Sequence, residues 1–230
     1  LVQAAALGQV TVGQEGCQAT TAGAHHAHAV GLEGAAVGDQ VGRHRTGLLQ
    51  LLDRLGLPWL RVPAVDGRAL PPDMLASLNP HPAPHGEWFR PLTPGEIGCF
   101  LSHLRCWELI QAQDTGVGIV LEDDFDLTDD CTLARLEQLA RSASGPTPWD
   151  VLKLTRLRQG ARTVAKLGDG LALCEGGKGP EDGRGYMVSQ RGAAKLTPRR
   201  EHLLRPVDFE LKHTWERGLT IYSASPNMFW

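Results

Sequence analysis

Residues 93–127, TPGEIGCFLSHLRCWELIQAQDTGVGIVLEDDFDL, decide how the rest of this chain is read. Thr93 suits a helix N-cap, Pro94 suits the first helical position, and Glu96 stands three residues after the cap. Together they make a capping box, in which two side chains satisfy backbone N–H groups that a first turn leaves without partners. Ile97, Phe100, Leu101, Leu104, Trp107 and Ile110 then recur at helical spacing and form one apolar face. Asp114 to Gly118 breaks the period. Gly118 to Leu121 is short, apolar and partly β-branched, the pattern of a strand buried on both faces. Glu122, Asp123 and Asp124 follow where that strand stops. Three adjacent carboxylates repel one another, and a divalent cation that prefers hard oxygen ligands, Mg2+ or Mn2+, relieves the repulsion. Ligands of open α/β sheets also bind at the carboxyl ends of strands. Two readings fit: a metal beside a phosphate-bearing substrate, or a solvated acidic turn.

Upstream, Leu48, Leu49, Leu51, Leu52 and Leu55 predict a helix closed by Gly56. Trp59 to Val65 reads as a strand ending in an Asp66-Gly67 turn. Pro71 to Pro91 holds too many prolines for regular structure and reads as a surface loop. Downstream, Leu133, Leu136, Leu139 and Ala140 mark a helix. Asp150–Leu154, Leu171–Cys174, Gly185–Ser189 and Leu219–Tyr222 mark strands. Ser189 caps a helix carrying Ala193, Ala194 and Leu196, and Pro206 to Arg217 reads as the last helix, with Gly218 behind it. Gly176, Gly177, Gly179, Gly183 and Gly185 predict a mobile loop, without the GK[ST] of a phosphate-binding loop. Strands alternating with helices predict an α/β sheet.

At 230 residues the chain is long enough for one such domain. Its net charge of −3 and scattered basic residues show no nucleic-acid footprint. Five cysteines, an odd number with no CxxC pair, fit free thiols in a reducing cytoplasm better than a disulfide framework. No apolar run is long enough to span a bilayer, and no basic region followed by an apolar segment opens the chain. A soluble cytoplasmic protein is therefore expected. Residues 1–42 are the least readable segment, rich in Ala, Gly, Val, Gln and His and without Lys, Arg or any Phe, Trp or Tyr. His25, His26 and His28 suggest either a metal tract or, with no Cys or acidic partner beside them, a disordered or loosely packed tail.

TPGEIGCFLSH, VLEDDFDL, GYMVSQRGAAKL and PVDFELKHTWERGLTIYSASP stand in the order of, and resemble, successive blocks of glycosyltransferase family 25. That family includes bacterial lipooligosaccharide galactosyltransferases and animal collagen galactosyltransferases. The resemblance runs from about Arg45 to the C-terminus, and it implies a family domain over residues 43–230. The fold it implies is α/β and GT-A-like, a Rossmann-like nucleotide-sugar fold with a mixed, mostly parallel sheet. The implied reaction moves a hexose, galactose first among them, from a UDP-sugar to a hydroxyl of a lipooligosaccharide, lipopolysaccharide or other surface glycan. Mn2+ or Mg2+ would stabilise the departing diphosphate. With a lipid-linked acceptor, peripheral contact at the inner face of the cytoplasmic membrane follows.

On this resemblance Glu122-Asp123-Asp124 takes the place of a DxD-like motif, with Asp124 as direct ligand and Glu122 on the metal, its water shell or the ribose. Asp208 is the first candidate for the base that activates the acceptor hydroxyl; its alternative is a carboxylate at a helix N-terminus. Glu96 is the second, although the capping box already accounts for it. Arg45, Asp66, Gly67, Ser102, His103 and Tyr186 are candidate donor or substrate contacts. Each of the last five has a structural alternative: an Asp-Gly turn, a buried hydrogen-bonded Ser-His pair, an aromatic in a core strand. His213 is a candidate extra ligand. Family members open with a strand carrying an Asn-Leu pair and an Arg-rich turn, of which only Arg43-His44-Arg45 is recognisable here. A catalytically inactive remnant, or a sugar-binding relic lacking the first nucleotide-binding strand, is accordingly the rival reading.

Overall fold

The computed structural model describes residues 59–80, 88–112, 116–122, 128–155, 159–176, 185–198 and 202–229, together with the backbone of 2–7 and 29–31. Its strands are β1 (Val2–Leu7), β2 (Ala29–Gly31), β3 (Trp59–Leu60), β4 (Val117–Glu122), β5 (Val151–Lys153), β6 (Arg162–Gly168), β7 (Leu171–Glu175), β8 (Gly185–Ser189) and β9 (Ile221–Ser225). They form one sheet in the order β2-β1-β4-β8-β5-β9-β7-β6, with β3 also paired to β1. The helices are α1 (Pro72–Leu78), α2 (Pro94–Ala112), α3 (Leu133–Ser142), α4 (Gln190–Leu196), α5 (Val207–Glu210) and α6 (Thr214–Arg217).

The expected mixed α/β sheet is present, but its pairings are mainly antiparallel rather than mainly parallel. Among the described strands only β5 and β9 run parallel, whereas β1, β4, β8, β5 and the β6–β7–β9 group pair antiparallel. The alternation of strand and helix in the sequence does not fix strand direction. A tight hairpin does, and β6 turns into β7 through Asp169 and Gly170, both at positive φ (50° and 75°). Positive φ at both central residues is the primed turn whose twist matches that of antiparallel strands.

Four further expectations change, the first being the strand expected from Trp59 to Val65, which is confined to Trp59–Leu60. Residues 2–7 are a strand rather than loose tail: β4 has backbone groups to satisfy on both edges, and β1 pairs with it from Val2↔Glu122 to Leu7↔Val117. The proline-rich stretch holds α1, with Pro72 at its first position and Asp73 in its first turn, where a missing N–H costs nothing and an acid meets the helix dipole. Residues 206–217 make two short helices rather than one, because His213 leaves helical geometry (ψ 55°) while its Nδ1 bonds the Phe209 carbonyl at 2.7 Å. The helix expected at 48–55 and most of the glycine-rich loop, 177–184, lie outside the described residues.

The central strands β4, β8 and β5 are buried on both faces. Ile119, Leu121, Leu152 and Met187 pack with Leu136 and Leu139 of α3 and with Trp149 on one side. Val120, Val151, Tyr186 and Val188 pack with Phe100, Leu104 and Trp107 of α2 and with Ala193, Leu196 and Val207 on the other. Successive side chains of a strand alternate between faces, so Glu122, two residues after Val120, emerges on the α2 side. Gly118 makes that side tight: a Cβ there would lie 2.4 Å from Ile110 Cγ1. The helix thus rests almost on the strand's backbone.

Candidate functional site

The α2 cap forms as its sequence predicts. Thr93 Oγ1 accepts from the Glu96 N–H at 3.2 Å, and Glu96 Oε2 accepts from the Thr93 N–H at 2.8 Å. Glu96 is also gripped by Arg90, whose two guanidinium nitrogens meet its two oxygens at 2.7 and 2.8 Å. The hydrogen bond from Arg90 leads, and with those from Thr93 it overcomes partial burial and draws the Glu96 carboxyl down to about 2. A carboxylate so placed holds the helix start and is a poor proton acceptor near neutral pH.

The Asp66-Gly67 turn is locked onto the same helix. Asp66 caps a single turn of 3-10 helix, accepting from the Arg68 N–H at 2.9 Å. Gly67 is buried, and a Cβ on it would lie 1.6 Å from the Pro94 carbonyl oxygen; one on Gly98 would lie 2.4 Å from the Val65 oxygen. The two backbones touch, which only glycine permits. Ser102 fastens the contact: its hydroxyl donates to the Gly98 carbonyl at 2.7 Å and accepts from the Val65 N–H at 2.9 Å. Gly98 and Ser102 of the motif are therefore explained by the approach of the turn.

One residue on, His103 faces β4 and β8. It is fully buried, with Nδ1 2.6 Å from the Tyr186 hydroxyl and Nε2 3.2 Å from Glu122 Oε1. Trp107 Nε1 donates to the same Tyr186 oxygen at 2.9 Å. Burial opposes a charge on His103, but hydrogen bonds and charge from Cys99 and Glu122 outweigh it and bring the imidazole up to about 9. Both ring nitrogens then donate, one to Tyr186 and one to Glu122, and the Tyr186 oxygen accepts twice, the capacity of a hydroxyl. Burial, first among its causes, raises the Tyr186 phenol well above its ordinary value, so it stays protonated. Glu122, its side chain 19% exposed, is the member of this group that reaches solvent at the strand's end.

Beside this cluster, Lys153 Nζ lies 5.8 Å from the Tyr186 ring centroid. Lys153 also borders a cavity of about 430 Å³ lined by Cys174, Lys212, Thr220, Tyr222 and Ser223. Leu211 and Lys212, immediately after α5, form part of its wall. Asp208 stands half-buried in the first turn of α5. Asp150 holds Thr220 of that lining: fully buried, its carboxylate accepts from Arg191 Nε (2.6 Å), Lys195 Nζ (2.7 Å) and the Thr220 N–H (2.8 Å).

The structure thus joins Ser102, His103, Glu122 and Tyr186 around α2 and seats Asp66 and Gly67 against the same helix. It sets Glu96 in the cap, Asp208 on a separate helix, and His213 at a helix start, bonded to its own segment. Arg45, Asp123 and Asp124 lie outside the described residues. Sequence reasoning took Trp107 as part of the apolar face alone and Cys99 only as one of five free thiols. The signal for Cys99 is its spacing, since four residues separate it from His103 on one helix face.

A family model described as glycosyltransferase family 25 (LPS biosynthesis protein) matches residues 42–156. A glycosyltransferase 25 family member of Aedes aegypti is 30% identical over 208 residues, covering 79% of this chain and 32% of the relative. Procollagen galactosyltransferase 1 of Danio rerio is 30% identical over 188 residues, 72% of this chain and 30% of the relative. A protein of Bos taurus named probable inactive glycosyltransferase 25 family member 3 is 31% identical over 183 residues, again 72% and 30%. The chain spans about a third of the length of these curated relatives.

Proposed function

The chain belongs to glycosyltransferase family 25, and on that premise we propose that it transfers a hexose, galactose first among candidates, from a UDP-sugar to an acceptor hydroxyl. A lipooligosaccharide or lipopolysaccharide, or another surface glycan, is the proposed acceptor. The observation that carries this reading is the seat of Glu122. It stands at the carboxyl end of a core strand, on the face of the motif helix, bonded to His103 and leading into Asp123 and Asp124. The family description names lipopolysaccharide biosynthesis and one relative is named a procollagen galactosyltransferase, which favours galactose and leaves the acceptor class to experiment.

Glu122 is partly exposed and offers hard oxygen, so it fits Mn2+ or Mg2+, with Asp124 as the proposed direct ligand. Such an ion, when bound, neutralises charge developing on the departing diphosphate. The chain's own residues set the rest. His103, held by Tyr186, fixes the Glu122 carboxylate; the locked Asp66-Gly67 turn and Arg45 are the proposed donor contacts. Asp208 is the proposed base, taking the proton of the acceptor hydroxyl as it attacks the anomeric carbon. The cavity beside Lys153 suits the acceptor. Action at the inner face of the cytoplasmic membrane goes with a lipid-linked acceptor; among the described residues no helix is long and apolar enough to cross a membrane.

A second reading, a fold that no longer transfers sugar, is favoured by the 31% identical relative named probable inactive. A thermal-shift titration with UDP, with and without Mn2+, separates the two, since a ligand of the folded state raises its melting temperature. Metal-dependent stabilisation that Asp124→Asn abolishes supports the transferase. Asp208→Asn should keep UDP binding and lose transfer. No shift from a cooperatively melting protein supports the inactive reading.

A further inference from the structure

Cys99, His103 and Glu122 bring together a thiol, an imidazole and a carboxylate whose ligating atoms all lie within 4.8 Å of one another. His103 and Glu122 have parts in the proposed transferase site, and Cys99 has none. Cys99 and His103 are four residues apart on α2 and project from one face, while Glu122 meets them from the end of β4. His103 Nε2 and Glu122 Oε1 are 3.2 Å apart. Two ligands each 2.0–2.1 Å from a tetrahedral ion stand roughly 3.3 Å from one another, so this pair is already at ligand spacing. Cys99, half-buried, completes the set, its sulfur within 4.8 Å of both other ligand atoms.

The far side of the imidazole supports the same conclusion. A metal-ligating histidine usually donates its other ring N–H to a fixed acceptor, which sets the ring's orientation. His103 Nδ1 meets the Tyr186 oxygen at 2.6 Å, and Trp107 Nε1 holds that oxygen from a second direction at 2.9 Å. This support lies in the core and leaves Nε2 aimed at Glu122 and Cys99.

We propose that Cys99 Sγ, His103 Nε2 and Glu122 Oε1 form a site for one zinc-class divalent ion. Thiolate and imidazole ligands select Zn2+ or Co2+ over Mg2+ and Mn2+, so the site differs in chemistry from an all-oxygen metal at the acidic triplet. On binding, the Cys99 thiol and His103 Nε2 each release a proton to solvent, and the ion replaces the His103–Glu122 hydrogen bond. Three protein ligands leave a fourth position for water or a substrate oxygen, as in zinc sites that do chemistry rather than closed structural ones. The inference goes beyond the transferase reading and is tested without any sugar nucleotide.

The test is a Co2+ titration of the full chain after chelator treatment, read by absorbance. One equivalent should produce a thiolate-to-cobalt charge-transfer band in the near ultraviolet and tetrahedral d–d bands in the visible, and Zn2+ should erase both. Cys99→Ser, at a half-buried position that tolerates the change, should abolish the charge-transfer band. Glu122→Gln should weaken binding by more than the roughly 10–100-fold that outer-shell changes cost. Asp124→Asn should leave band and affinity unchanged, which separates this ion from the one proposed for the donor. A folded chain without the charge-transfer band, or a band that survives Cys99→Ser or vanishes in Asp124→Asn, overturns the assignment.

Discussion

Tyr186→Phe removes one oxygen atom from the centre of the candidate site and tests how that site is held. Tyr186, His103 and Trp107 are all fully buried. The lost oxygen is the acceptor for Trp107 Nε1 at 2.9 Å and the partner of His103 Nδ1 at 2.6 Å. Phenylalanine keeps the packing and strands both nitrogens in a core where water cannot replace the bond. A buried donor left unsatisfied costs about 1–3 kcal/mol. Trp107 cannot escape this cost. His103 can shed its Nδ1 proton, which lowers its share and sacrifices the charge that Glu122 stabilises. The expected loss is therefore about 2–4 kcal/mol. At roughly 2–4 °C per kcal/mol for a chain of this size, the melting temperature should fall by roughly 4–16 °C. Urea unfolding followed by tryptophan fluorescence gives the free energy directly, with an unchanged m-value showing that the same surface unfolds. A loss under about 1 kcal/mol would show that the hydroxyl is not the shared acceptor, and the account of how His103 is oriented would fall with it.

Asp150→Asn should cost about 2–3 kcal/mol: less than the 3–5 typical of a broken buried pair, because Arg191 and Lys195, with side chains 51% and 32% exposed, can turn to water. Burial pushes the Asp150 carboxyl up, but Lys195, the Thr220 N–H and Arg191 pull it below its ordinary value. Its stabilisation is therefore present above about pH 4 and lost as pH falls through the lower folded value; the wild type should lose stability in acid by a component that Asp150→Asn lacks, and parallel acid limbs would refute this. Gly67→Ala places a methyl 1.6 Å from the Pro94 oxygen and should cost about 3 kcal/mol or more in chemical denaturation. Glu96→Gln should lower stability by about 1 kcal/mol through the cap and the Arg90 pair and leave transfer within a few-fold, whereas loss of transfer from a folded variant would restore Glu96 as a base.

What the sequence made legible follows from what is local. The capping box of Thr93 and Glu96 and the Ser189 cap, whose hydroxyl accepts from Gly192 N–H at 3.0 Å, are interactions between residues three apart, and both form as read. The apolar run from Gly118 to Leu121 placed β4, with Glu122 where it stops. Strand direction was not legible, because it depends on which edges meet. The one strong local clue was Asp169-Gly170 in a Gly-Asp-Gly run, easily lost among the other glycines of the region. Nor was the reason for Ser102, whose partner Val65 is 37 residues away.

The same distinction explains why the site residues divide as they do. Gly67, Gly98, Ser102 and Gly118 have no polar task that reaches solvent; each removes bulk or adds a bond where backbone must approach α2. Their combined effect is to fix one helix against a turn near its start and a strand near its end. His103, between those two anchors, has no freedom to shift along the strand, and so its ring meets Tyr186, at the start of β8, and Glu122, at the end of β4. A substitution in the glycine set should therefore displace Glu122 without touching it, and activity lost at Gly118 would report the position of the carboxylate rather than its charge.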